Sequence, residues 1–401
     1  MRSKETKKST DSTIYFDDTA ALQRDHLLRK KRKGMVLLLL LLASVLLAAA
    51  FFAIHSYIHK MNIRPASSDM GLRLEESSGQ QWDDRSEAEA TAEDAEINSE
   101  KEENNLPDSS QDQIDDMEEE IRTNMEKDSK SIVYDKNVFN ILLIGSDSRK
   151  SGGSGRSDTM LLVSINKKNK KIVVTSLLRD IYLQIPGKSN NRLNAAYAFG
   201  GADLLLSTIE QNFKVPVERY ASIDFYAFID IVDAVGGITL DVGEKDVPVI
   251  NKFITEINKL TGQEEKMDHL TVPGTLLLNG KQALGYVRNR NVGNADFDRT
   301  ARQRKALEQI VDKVKKLNLL EMKELLDVIL PQVTTNLSEG EIFSLILALP
   351  SYMSYDTQQW SIPEANSYTA LRIRGMAVLG IDFDENVDAL HKKLYQDNSS
   401  P

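Results

Sequence analysis

Three short stretches decide the fold: Val138–Gly145 (VFNILLIG), Thr159–Asn166 (TMLLVSIN) and Ile172–Leu178 (IVVTSLL). Each is an apolar run rich in β-branched residues and bounded by Gly, Asn or Lys, the pattern of a buried strand. Asn166-Lys167-Lys168-Asn169-Lys170 between the second and third reads as the turn of an antiparallel hairpin. Helical patterns follow at 191–213 and 224–235, a strand at 237–242, helices at 296–317, 322–329, 338–353 and 386–396, and a strand near 358–362. Strands mixed with helices predict an α/β fold, a three-layer α/β/α domain with a mixed central sheet.

Outward from this core, charge is segregated. The 401 residues carry a formal charge of −10, but residues 66–130 alone hold 6 basic and 22 acidic residues. Such a stretch buries too little apolar surface to offset its ordering entropy, so 59–130 reads as an acidic, disordered linker with a short helix around 112–127. Upstream, Met35 to Ile54 is apolar except for Ser44 and follows Arg29-Lys30-Lys31-Arg32-Lys33. About 20 residues suit one hydrocarbon core, so 35–58 is expected to be a transmembrane signal anchor. The basic flank places the tail 1–34 in the cytoplasm and the rest outside the cell membrane, in a single pass. The folded domain is then 131–401. There is no cysteine, which excludes disulfides, Cys-ligated metals and thiol nucleophiles. The five histidines are scattered, and no P-loop or GxGxxG is present. Nucleic acid is not an expected partner, because basic–aromatic stripes are absent.

Three features bear on chemistry. Gly145-Ser146-Asp147-Ser148-Arg149 stands at a strand end, followed by a Gly-rich loop and Arg156-Ser157-Asp158-Thr159. Carboxylates there suit a divalent metal over phosphate oxygens, although each alone also suits a turn or cap. Arg179-Asp180 follows the third strand, where an arginine can meet an anion or a neighbouring carboxylate. Tyr286-Val287-Arg288-Asn289-Arg290 read as extended would point Arg288 and Arg290 to one side. Arg299, Arg302 and Gln303 share a face of the next predicted helix. Metal-capable carboxylates beside clustered arginines point to a polyphosphate ester.

In this order, GSDSR (145–149), RSDTM (156–160), RD (179–180), LNAAYAFGG (193–201), DAVGG (233–237), LNGKQALGYVRNR (278–290) and DFDRTARQ (296–303) resemble the LytR–CpsA–Psr family of cell-wall glycopolymer ligases. The resemblance spans a motif core of 137–317. It implies a phosphotransferase that moves a glycopolymer, teichoic acid or capsular polysaccharide, with its linking phosphate. The donor is an undecaprenyl-pyrophosphate-linked glycan and the acceptor a peptidoglycan sugar hydroxyl, with Mg²⁺ or Mn²⁺ as cofactor. It implies Asp147 and Asp158 as metal ligands, and Arg179, Arg288, Arg290 and Arg299 as pyrophosphate contacts with Gln303. Arg149 and Arg156 flank these positions. Asp158, Arg179 and Arg290 are expected to be catalytic, Asp158 as general base. The stretches 204–213 and 225–235 are expected to line a cavity for the lipid tail. This sequence departs from the family at Leu177-Leu178, where Ile-Pro is usual, and at Arg304, where a second Gln is common. The alternatives are a polyprenyl-pyrophosphate phosphohydrolase and a non-catalytic lipid-binding regulator.

Overall fold

The computed structural model describes residues 60–64, 106–127, 132–146, 156–290, 292 and 295–396. In chain order these form β1 (Asn62–Ile63), α1 (Gln111–Glu126), β2 (Val138–Ser146), β3 (Ser157–Asn166) and β4 (Lys171–Leu177). Next come β5 (Tyr182–Leu183), β6 (Asn191–Arg192), α2 (Leu193–Phe213), β7 (Arg219–Asp224), α3 (Phe225–Ala234) and β8 (Ile238–Val242). Then follow α4 (Asp246–Leu260), β9 (Gly274–Leu278), α5 (Gly280–Arg288), α6 (Ala295–Val314), α7 (Leu319–Ile329) and β10 (Thr334–Thr335). Last are α8 (Glu339–Tyr352), β11 (Asp356–Ile362), β12 (Tyr368–Ile373), β13 (Met376–Ile381) and α9 (Phe383–Tyr395).

The central sheet has seven strands in the order β1-β10-β7-β2-β3-β4-β11. It is mixed: β2–β3 and β3–β4 are antiparallel, while β7 and β11 lie parallel to β2 and β4. The expected hairpin is present, with Asn166 Oδ1 accepting from Asn169 N and Lys170 at φ 49° closing the turn. Helices cover both faces, giving the α/β/α arrangement.

Alternation along the strands separates two environments. Leu142, Leu162, Val173 and Leu177 face a closed core with Leu205, Leu206, Ile209 and Phe213 of α2 and Phe383, Leu390 and Leu394 of α9. A second core joins α3, α4, α5, α6 and β8. Ile141, Leu161, Ile165 and Val174 point to the opposite side of the sheet, are buried, and join neither core. An apolar layer therefore lies between the sheet and the helices on that side. The expectation that 204–213 lines a lipid cavity is corrected, because its apolar side chains are sealed in the first core.

Part of the expected acidic linker is ordered, and the short helix expected around 112–127 is present as α1. Ser110 caps α1 in a reciprocal box with Gln113, and the helix buries Met117, Ile121 and Asn124. Asn124 Nδ2 donates to the Asn212 carbonyl at 3.0 Å. Acidic residues occupy the exposed face, so the average composition hid an amphipathic stripe. At the other end of the presumed linker, β1 pairs with β10. Ile121→Ala is expected to cost about 3 kcal/mol of stability, as for other fully buried aliphatic truncations. Urea unfolding measures it, and a loss near zero would return α1 to a solvated spacer.

The single-pass anchor is corrected as well. Among the described residues no helix is long and apolar enough to cross a membrane. Residues 1–34 and 35–58, on which that expectation rested, lie outside the described residues. Membrane topology and a cytoplasmic amino terminus are therefore not carried into the functional reading.

Two glycines set geometry near the site. Gly201 (φ 65°, ψ −154°) with Gly200 kinks α2. At Gly280 a Cβ would stand 2.3 Å from the Ile229 backbone oxygen, so α5 can approach α3 only with glycine there. Asp233 Oδ1 accepts from Gly280 N at 2.7 Å and fixes the start of α5. Gly280→Ala is expected to cost about 2 kcal/mol or more through overpacking, read from the unfolding midpoint.

Candidate functional site

β2, β4, β7 and β11 run the same way, and their carboxyl ends meet the beginning of β3 at one edge of the sheet. Ligands of open α/β sheets gather at such an edge. Asp158 lies there on a β-bulge: Gly145 pairs with Thr159 and Ser146 with Ser157, leaving Asp158 as the extra residue. The bulge frees its carboxylate from the strand's alternation and aims it at the residues beyond β4.

Those residues are Arg179 and Asp180, both buried. Arg179 Nη1 donates to Asp158 Oδ1 at 2.9 Å, and its Nε donates to Asp180 Oδ2 at 3.2 Å. Arg192, fully buried at the start of α2, closes on the other oxygen of Asp180 at 3.4 Å. Asp180 thus orients Arg179 from behind. Arg290 brings Nη2 to 3.8 Å from Asp158 Oδ1. Arg299 of α6, 2% exposed, also acts on the charge of Asp158. Burial alone would raise the Asp158 pKa, but the Arg179, Arg290 and Arg299 guanidiniums outweigh it. The hydrogen bond from Arg179 adds to their effect, and the carboxyl is held well below the usual range. Among the described residues, the guanidiniums of Arg179, Arg192, Arg290 and Arg299 gather around the carboxylates of Asp158 and Asp180, an arrangement suited to meeting an anion.

The Arg288–Arg290 segment differs from the extended reading. Arg288 is the last residue of α5, and its guanidinium sits over the rings of Phe225 (4.4 Å) and Phe253 (4.6 Å). Two aromatic faces hold its charge by cation–π attraction rather than beside Arg290 on a strand. Tight apolar contacts with α3 and α4 make α5 helical here, overriding the two-residue alternation. Asn289 turns the chain: its Nδ2 donates to Asp246 Oδ1 at 2.7 Å. Arg302 donates to the carbonyls of Asn289 (2.9 Å) and Val292 (3.0 Å) and pairs with Asp246 at 3.4 Å. It therefore clamps the loop that presents Arg290. Gln303 is buried one turn beyond Arg299, and Arg156 lies partly buried just before β3. Asp147 and Arg149 lie outside the described residues.

Sequence reasoning missed Asp180 as the support of Arg179, Phe225 as a ring beneath Arg288, and Arg192, Asp246 and Phe253 altogether. The Arg-Asp dipeptide was visible, but nothing in the linear order signals that Arg192 returns to it. Among the described residues no group of three His, Cys, Asp or Glu could hold a metal.

Comparison with known proteins agrees with this geometry. Residues 106–393 match the LytR_cpsA_psr family model. The chain belongs to the LytR–CpsA–Psr family. The polyisoprenyl-teichoic acid–peptidoglycan teichoic acid transferase TagU of Enterococcus faecalis is 36% identical over 226 residues, 55% of this chain and 69% of the relative. Among solved structures, TagT bound to LI-WTA has a TM-score of 0.52 at 28% identity, covering 65% of this chain and 92% of that one. The protein gbs0355 from Streptococcus agalactiae has a TM-score of 0.54 at 29% identity, covering 66% and 90%. The chain is an enzyme of this LytR–CpsA–Psr type, transferring a glycopolymer from a lipid carrier onto peptidoglycan. Membership carries with it a metal-assisted mechanism in general.

Proposed function

We propose that the Asp158–Arg179–Arg290–Arg299 cluster holds the pyrophosphate of a polyprenyl-pyrophosphate-linked glycan, of which undecaprenyl is the expected carrier. The observation that carries this is the gathering of the Arg179, Arg290 and Arg299 guanidiniums around the ionised Asp158 carboxylate at the sheet edge, beside the buried apolar side chains of Ile141, Leu161 and Val174. The transferred polymer is of the teichoic acid or capsular class, and the acceptor is a peptidoglycan sugar hydroxyl. The hydroxyl oxygen bonds to the glycan-side phosphorus as the bond to the bridging oxygen breaks, and polyprenyl phosphate leaves. Negative charge spreads over the equatorial oxygens, where fixed guanidiniums stabilise it without reorganising. Arg179, locked by Asp180, and Arg290, presented by the Arg302 clamp, serve this step. Arg288, Arg156 and Gln303 act at the margins of the same anion.

Asp158 keeps its charge at neutral pH, which fits a metal ligand and fits a general base poorly, since a base works best with a pKa near the operating pH. We assign Asp158 to the metal rather than to proton abstraction. With Asp147 it would hold Mg²⁺, or Mn²⁺, for such ions take one or two carboxylates together with phosphate oxygens. The metal supplies neutralisation of charge on the phosphates.

The test incubates the purified chain with synthetic polyprenyl-pyrophosphoryl glycan, peptidoglycan fragments and Mg²⁺, with mass spectrometry for the product. A glycan–phosphate–peptidoglycan diester is expected. Free glycan phosphate alone would favour hydrolysis, and binding without product would favour a regulator. Asp147→Asn, assayed over a range of Mg²⁺ concentrations, is expected to lower transfer by about a hundredfold or more while keeping the fold.

A further inference from the structure

Arg304 is the arginine of α6 that the site described above does not use. Arg302 turns to the Asn289 loop, whereas Arg304 crosses to the sheet, where its Nη1 donates to Ser176 Oγ at 2.7 Å. Ser176 is fully buried and lies opposite Leu161, on the face of the apolar layer rather than that of the closed core. Among the described residues no carboxylate forms an ion pair with Arg304, and burial is the sole influence lowering its pKa. A guanidinium carries five donors and keeps its charge, so one neutral hydroxyl leaves it short of a counter-ion in a half-buried place.

Its location is specific. Ser176 is the next-to-last residue of β4, three residues before Arg179 in sequence. Its side chain shares a face with Leu161, its cross-strand partner, and with Val174, so Arg304 meets the sheet where the apolar layer approaches the end of β4 that leads to Arg179. A donor with its glycan-side phosphate at the arginine cluster and its tail in the apolar layer points its prenyl-side phosphate toward Arg304.

We propose that Arg304 contacts the prenyl-side phosphate of the donor and stabilises it as the leaving group of transfer. This rests on the glycopolymer-transfer reading above. When the acceptor oxygen bonds to the glycan-side phosphorus, the bond from that phosphorus to the bridging oxygen breaks. Its electron pair stays on the bridging oxygen. Polyprenyl monophosphate departs with one more negative charge than it carried within the diester, and the proton of the acceptor hydroxyl passes to solvent. A cation at the prenyl-side phosphate meets that charge as it develops, and Arg304 exchanges the Ser176 hydroxyl for it.

The experiment uses the full chain with polyprenyl-pyrophosphoryl disaccharide as donor, polyprenyl monophosphate as inhibitor, and the variants Arg304→Gln, Arg304→Lys and Ser176→Ala. Arg304→Gln is expected to lower kcat about a hundredfold, the effect of losing one preorganised donor to a developing anion. Inhibition by polyprenyl monophosphate should weaken about tenfold, and the unfolding midpoint should stay unchanged. Arg304→Lys should recover part of both losses, and Ser176→Ala should transfer at close to the wild-type rate. If Arg304→Gln matches wild type in turnover and inhibition, the proposal is wrong. It also fails if Arg304→Gln and Ser176→Ala lower midpoint and turnover together, because the pair would then merely brace α6 against β4. A wild-type chain that neither binds nor transfers the donor would overturn the transfer reading and this proposal with it. An active wild type with an unaffected Arg304→Gln overturns this proposal alone.

Discussion

Asp158→Asn is expected to lower glycopolymer transfer by about three orders of magnitude, the scale for removing metal and charge organisation from a phosphoryl-transfer site. The amide keeps the shape and a hydrogen-bond acceptor for Arg179, but the charge that balances Arg179, Arg290 and Arg299 is gone. Those guanidiniums then repel one another, so the substrate-free protein should also lose about 3 kcal/mol of stability, as when one partner of a buried pair is deleted. Acid unfolding supplies an independent readout. The folded-state pKa of Asp158 is depressed, so its contribution is full at neutral pH, above the unfolded carboxylate value. It is lost as pH falls below about 4 toward the lower folded-state pKa. Asp158→Asn should therefore differ most from wild type at neutral pH and converge with it in acid. Near wild-type transfer by this variant would remove Asp158 from the mechanism. A difference in stability that grows on acidification would contradict the assigned ionisation.

The second large effect separates two arginines that share Asp158. Arg179 is buried and tied to Asp158 and Asp180, so Arg179→Gln should lose both fold and function. About 3 kcal/mol of stability is expected to go, because two carboxylates lose their shared cation. Arg290 is more open, one-quarter exposed, and its approach to Asp158 is longer at 3.8 Å. Arg290→Gln should leave the unfolding midpoint within about 0.5 kcal/mol of wild type, since exposed pairs contribute little. Its transfer rate should nonetheless fall about a hundredfold, because a fixed donor to the transition-state charge is missing. Unfolding curves and transfer rates on both variants decide the matter. If Arg290→Gln unfolds easily and transfers normally, Arg290 is a structural residue and the catalytic cluster is smaller than described.

The acidic segment illustrates where average composition misleads. Twenty-two acidic residues in 66–130 suggested solvated chain, yet Met117 and Ile121 dock α1 onto the same core as α2 and α9. Composition averages over faces, whereas a helix needs only one apolar stripe. The Arg288–Arg290 segment fails for the opposite reason. Alternation suggested a strand, but the approach of α5 to Ile229 and Ile250, permitted by Gly280 and Gly285, is a tertiary fact. That packing makes the segment helical through Arg288 and sends Arg288 between two rings.

The sequence by itself determined the central strands, their hairpin, most of the helices and the family, because β-branched runs, turn residues and ordered motifs are local signals. It also named Asp158, Arg179, Arg290, Arg299 and Gln303 as one set. Only the tertiary structure decided how they work. The bulge that aims Asp158 depends on register between β2 and β3. The brace of Arg179 needs Arg192, returned from 12 residues away to the far oxygen of Asp180. The clamp on the Arg290 loop joins α4 to α6 through Asp246 and Arg302. Charges act through space over a few ångströms, so their balance, and with it the ionisation of Asp158, follows from packing that no local stretch of sequence contains.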